Sequence, residues 1–194
     1  MRTFIAIDLN EENKAALTKL QDELKQTKAD VKWVEPENTH LTLKFLGEIS
    51  EKQADQIKQV LDKISSDCKP FELSLSDIGA FPELDYPRVI WVGIEKGKKE
   101  VEEAAKKIEE ELGKLGFANE ERPFAAHLTI GRVRSRKNIQ ALKEVCQLAS
   151  LPVNKSKPAN RPTDELVNSI TLYQSKLTPS GPIYTPLHRA ALQY

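Results

Sequence analysis

The stretch that decides the reading is Thr39-His40-Leu41-Thr42-Leu43-Lys44-Phe45-Leu46-Gly47, "THLTLKFLG". Alternate side chains of a strand share a face. His40 and Thr42 therefore point one way, and Leu41, Leu43 and Phe45 the other, which makes Phe45 a core residue. A second stretch, Ala126-His127-Leu128-Thr129-Ile130-Gly131-Arg132-Val133, repeats His-Leu-Thr-aliphatic 87 residues later. The chain of 194 residues holds three histidines, and two of them stand at these matched places. A lone histidine on a strand is most often structural; the repetition is what argues for chemistry.

Working outward, the same offset matches other elements. "RTFIAID" (2–8) reads as a strand, and the offset carries Phe4 onto Trp91 in the strand "RVIWVGI" (88–94). Asn10 caps a helix with Leu17, Leu20 and Leu24 inward, running to about 28. Its counterpart over 97–116 has Val101, Ala104, Ala105, Ile108 and Leu112 inward and Gly116 as a C-terminal cap. Ser50 opens a helix with Ile57, Val60, Leu61 and Ile64 on one side; residues 138–149 repeat it with Ile139, Leu142, Val145 and Cys146. One strand over 71–79, a Pro-containing loop "AFPELDYP", a strand over 166–177 and a short final strand complete the pattern. Paired strands with half-apolar alternation favour antiparallel sheets. The expected fold is α+β: a bilobal duplicated unit of two antiparallel sheets with helices on their outer faces, pseudo-twofold symmetric about a central cleft. The whole chain, 1–194, is one domain with approximate repeats 1–86 and 87–194, and the chain is free to cross between lobes.

Composition narrows the function classes. Lys plus Arg and Asp plus Glu both number 29, so the net charge is zero and any contact with RNA is local. The two cysteines make no disulfide framework or metal spacing and read as buried thiols. No apolar run approaches a membrane span, the N-terminus does not read as a signal peptide, and a cytoplasmic monomer is expected.

Two opposed imidazoles suit acid–base work on a phosphate. One takes a proton from the attacking oxygen and the other gives one to the leaving oxygen, and a reference pKa near 6.5 makes both states accessible. Thr42 and Thr129 offer hydroxyls to non-bridging oxygens. A two-histidine metal site is the alternative, although no Cys, Asp or Glu is spaced to complete it. His188 has no repeat partner and reads as a surface or edge residue.

With these stretches in view, the chain resembles the 2H phosphoesterase superfamily. "RTFIAIDL", "ENTHLTLKFLGE", "AAHLTIGRV" and "LTPSGPIY" are similar to its RNA 2′,3′-cyclic phosphodiesterase branch, once called 2′-5′ RNA ligases. The resemblance spans nearly the whole chain. It implies hydrolysis of 2′,3′-cyclic phosphate ends to 2′-phosphomonoesters with no cofactor or metal, on RNA ends or cyclic nucleotides. It also implies that His40 is the proton donor and His127 the proton acceptor, a split the residues themselves leave open, with Thr42 and Thr129 steadying the phosphate. Arg132 matches the family's phosphate-contacting arginine. Strict alternation from His127 turns Arg132 away, whereas a bulge at Gly131 would turn it back. Arg132, Arg134, Arg136 and Lys137 form a basic edge. Phe4, Trp33 and Phe45 are candidates to stack on a base, although alternation puts Phe45 on the apolar face. A non-catalytic RNA-end or nucleotide-binding module is the alternative function. The loop over 152–165 is longer than the family leads one to expect.

Overall fold

A computed structural model describes residues 1–149, 164–179 and 181–193. In chain order these form β1 (Arg2–Asp8), α1 (Glu11–Lys25), β2 (Val31–Trp33), β3 (His40–Glu48), α2 (Glu51–Ser66), β4 (Phe71–Leu73), β5 (Leu75–Phe81), β6 (Val89–Ile94), α3 (Lys98–Lys114), β7 (His127–Val133), α4 (Ile139–Ala149), β8 (Glu165–Val167), β9 (Ser169–Thr178) and β10 (Gly181–Ala191). One 3-10 turn, Pro36–Asn38, precedes β3.

The caps behave as their chemistry demands. Asn10 Oδ1 accepts from the Asn13 amide at 2.8 Å, and Ser50 and Gln53 close a reciprocal capping box at α2. The fold is α+β. Two four-stranded antiparallel sheets run β10-β9-β1-β3 and β2-β7-β6-β5, and a two-stranded ribbon joins β4 to β8. Each large sheet takes strands from both halves of the chain: β9 and β10 complete the first, β2 and β5 the second. The helices cross as well. α2 and α3 lie over the first sheet. α1 is bound to the second, where Gln21 donates to the Val34 and Ile130 carbonyls at 2.8 Å, and α4 packs on α1 and β5.

The leucine faces of the two His-Leu-Thr strands supply the core. Leu41, Leu128 and Ile130 are fully buried, with Leu17, Leu24, Ile57, Leu61, Ile108 and Leu112 from the helices packed over them. At roughly 1.5–3 kcal/mol for each large aliphatic side chain taken from water, this layer is what seats β3 and β7.

Three expectations need correction. The single strand over 71–79 is two strands: its backbone changes sheets at Ser74, whose amide and carbonyl bond Lys96 and Glu95 at 3.3 and 2.9 Å. The second of these strands runs on to Phe81, into residues read as loop. The short final strand is an 11-residue strand. Of the loop over 152–165, all but residues 164 and 165 lie outside the described residues. Cys146 is buried as expected, whereas Cys68 is only half-buried; the two do not form a disulfide.

Candidate active site

β3 and β7 carry the same burial sequence: half-buried His, buried Leu, half-buried Thr, then two buried residues in a row, then an exposed one. The doubled burial marks a bulge in each strand. Against β1, the pairing steps from Ala6–Thr42 to Ile5–Lys44, leaving Leu43 over. Against β6 it steps from Trp91–Thr129 to Ile90–Gly131, leaving Ile130 over. One extra residue reverses the facing of everything after it. Arg132 thereby rejoins the face of His127 and Thr129. Gly131 is where the bulge is tolerated: a Cβ there would lie 2.6 Å from a Val31 methyl and 3.0 Å from the Trp33 ring.

The same device overturns the placement of Phe45. Its ring is 59% exposed, on the face of His40 and Thr42. Phe45 and Arg132 are counterparts, 87 residues apart. The core position falls instead to Lys44, 3% exposed, whose ammonium reaches Glu109 at 2.5 Å and the Ala118 carbonyl at 3.0 Å.

Phe4, expected to stack on a base, is 2% exposed. Its ring stacks on His40 at 4.7 Å and on Tyr173 at 5.3 Å, and Tyr184 meets it edge-on at 4.9 Å. Phe4 is the platform behind His40, with no open face for a base. Trp33 is half-buried against Gly131. On the second sheet, His127 meets Phe81 at 5.0 Å and Trp91 at 6.5 Å. The Trp91 ring lies over Gly79, where a Cβ would come within 2.2 Å of it. Tyr173, Tyr184 and Phe81 escape the sequence reading because nothing in the linear pattern ties their strands to the His-Leu-Thr strands.

Both imidazoles are oriented from two residues upstream. His127 Nδ1 donates to the Ala125 carbonyl at 2.7 Å, which leaves Nε2 with a free lone pair. The Asn38 carbonyl takes the equivalent bond from His40. Burial holds His40 down to about 4, against opposing pulls from Asp8 and that carbonyl, while Lys14 adds to the depression. Asp8 faces His40 across β1–β3 and accepts from Thr171 and Arg189 at 3.1 Å and from Tyr173. Burial raises the Tyr184 phenol, and the charges of Arg132 and Arg2 work against that rise. Tyr184 edges His40 at 5.1 Å, so Arg132 on the second sheet lies within electrostatic range of the His40 surroundings.

The LigT-like phosphoesterase model matches the chain twice, at residues 7–91 and 92–184. The chain belongs to the LigT-like phosphoesterases. Among proteins of similar sequence, the RNA 2′,3′-cyclic phosphodiesterase of Methanothermobacter thermautotrophicus is 36% identical over 188 residues, 96% of each chain. That of Methanocaldococcus jannaschii is 39% identical, over 95% of this chain and 96% of its own. Of solved LigT-like structures, Escherichia coli LigT complexed with 3′-AMP superposes with a TM-score of 0.75 at 26% identity, covering all of this chain and 98% of its own. A Thermus thermophilus protein, TT0787, gives 0.78 at 27%, over 99% and 98% of the two chains.

His188, read as an edge residue, stands on edge strand β10 and pairs with Asp62 at 2.7 Å. No described helix is long and apolar enough to cross a membrane.

Proposed function

We propose that this phosphoesterase opens RNA 2′,3′-cyclic phosphate ends to 2′-phosphomonoesters, with His40 and His127 as the acid–base pair. Water attacks phosphorus and loses its proton to His127 Nε2; the bond from phosphorus to the 3′ oxygen breaks, and His40 protonates that oxygen. Thr42 and Thr129 hydrogen-bond the non-bridging oxygens, and Arg132 balances the charge that builds on them. The two imidazoles supply both proton transfers, so the reaction as written calls for no metal. By microscopic reversibility the same pair, with roles exchanged, joins a 5′-hydroxyl to a cyclic end as a 2′-5′ link. The site is made by two related halves of one domain, 1–86 and 87–194.

The observation that carries this reading is the doubled constellation: two His-Leu-Thr strands, each bulged at the same place, each with its ring N–H given to a carbonyl two residues upstream. The names borne by relatives over nearly the full chain support the substrate class. His40 presents one condition. With its pKa near 4 in the free protein it is neutral at pH 7, so it becomes an acid by taking up a proton together with the phosphate anion. The test is turnover of an oligonucleotide ending in 2′,3′-cyclic phosphate, in the presence of a chelator. The expected product carries its phosphate on the 2′ oxygen, and His40→Ala or His127→Ala lowers the rate by about 10²–10⁴-fold. Activity that survives both substitutions, or that needs added metal, overturns it.

A further inference from the structure

The two histidine strands match in sequence, in bulge and in the carbonyl that holds each ring, yet the residues set against them differ. Asp8 on β1 is the pairing partner of His40, and Gly93 on β6 is the partner of His127. Paired residues of an antiparallel sheet share a face. A carboxylate therefore stands beside one imidazole, and no side chain holds the matching place beside the other. Nor is there room for one: a Cβ at Gly93 would lie 2.6 Å from Ser76 Oγ. The chemistry proposed above asks for this difference. The base starts from the neutral ring, whereas the acid must be charged before it can give its proton up.

Asp8 is fixed from three sides. Thr171, itself fully buried, and Arg189 each donate to Oδ2 at 3.1 Å, and the Tyr173 hydroxyl donates to Oδ1. Burial and the bond to Asp8 both raise the Tyr173 phenol, which keeps it a donor. Charged and titratable groups reach His40 from each neighbouring element. Burial depresses the ring most, Asp8 is the strongest pull in the other direction, and Lys14 on α1 adds to the depression. The Tyr173 and Tyr184 rings lie at 6.1 and 5.1 Å, and Tyr184 in turn feels Arg132 and Arg2. Glu165 on β8 is taken up by the Asn10 amide at 2.6 Å, and burial raises its carboxyl.

We propose that Asp8 is the positioning residue of the acid: its negative charge, present beside His40 and absent beside His127, holds the proton on His40 when the phosphate arrives, and so decides which of two matched imidazoles is the donor. Arg189 works against it by sharing the same carboxylate oxygen. This rests on the cyclic phosphodiesterase reading.

The test follows the histidine ring C–H signals by NMR as the pH is lowered, in wild type, Asp8→Asn and Arg189→Gln, with His40→Asn to assign the His40 signal. Turnover of a cyclic-ended oligonucleotide is measured alongside at pH 7. Asp8→Asn keeps an acceptor for Thr171 and Tyr173 and removes the charge. The His40 midpoint should fall by about one pH unit, and kcat/KM by about tenfold, because each pH unit cuts the protonated fraction about tenfold. Arg189→Gln should move the midpoint up. Both substitutions break the same ion pair, so a purely structural role would shift the ring the same way in both, whereas a role carried by charge shifts it in opposite directions. Should Asp8→Asn fail to fold, or unfold before its ring titrates, the rise in Arg189→Gln decides. The proposal is overturned if that midpoint does not rise, if both variants shift the same way, or if a folded Asp8→Asn keeps the wild-type rate. If the wild type itself opens no cyclic-ended oligonucleotide, it is the cyclic phosphodiesterase reading that has failed, and the proposal goes with it.

Discussion

The half-buried His40 ring is a base that the fold keeps unprotonated, and that should be measurable without any substrate. Burial sets its folded pKa near 4, against 6.5 for an ordinary imidazole. A depressed histidine binds its proton in the unfolded chain first. Its contribution to stability is therefore complete above about pH 6.5 and is lost as the pH falls toward 4. Linkage puts the loss between pH 7 and pH 5 at about 2 kcal/mol, most of a ceiling near 3 kcal/mol. Every other ionisable group is common to the wild type and to a variant that lacks only the His40 ring, so the difference between the two reports that ring. Urea unfolding followed by circular dichroism, at pH 7 and pH 5, on wild type and His40→Asn, isolates the effect. The wild type should lose about 2 kcal/mol more than the variant over that interval. Equal losses would mean that the ring is solvated in the folded protein, and the reasoning about its burial would be wrong.

Two further outcomes follow from the same contacts. Binding of 2′-AMP near pH 6.5, measured calorimetrically in buffers of different ionisation enthalpy, should take up close to one proton, because His40 is neutral when free and must be charged to act as the acid; no uptake would remove it from that role. Lys44→Ala should destabilise the fold by about 2–4 kcal/mol by leaving Glu109 and the Ala118 carbonyl without their cation, while Lys44→Met, which keeps the stem, should cost less. Urea midpoints equal to the wild type's in both variants would contradict the assigned pairing.

The parts of the fold written in local signals were legible from the residues. The caps at Asn10 and Ser50, the apolar stripes of the four helices and the His-Leu-Thr strands need only neighbours a few residues away. Bulges are different. A single surplus residue at Leu43 or Ile130 changes the facing of Phe45 and Arg132 without changing composition, and the pairing partner that reveals it lies on another strand. Gly131 offers a hint because a glycine tolerates close approach, and it points the right way for Arg132. The counterpart in the first half is Lys44, which gives no such hint, so simple alternation sends Phe45 to the core. The break at Ser74 is invisible for a related reason: alternation continues unbroken while the backbone moves from one sheet to another. The offset of 87 holds between the two histidine strands but not between their partners. Asp8 faces His40 and Gly93 faces His127, an offset of 85, so Phe4 and Trp91 are neighbours in kind but not in register.

A crystal structure with a nucleoside 2′-phosphate bound would put the reaction geometry to its most direct test. One phosphorus should lie with the Nε2 atoms of His40 and His127 on opposite sides, each about 3 Å from a phosphate oxygen. A phosphate held by one imidazole alone, or seated away from both, would contradict it.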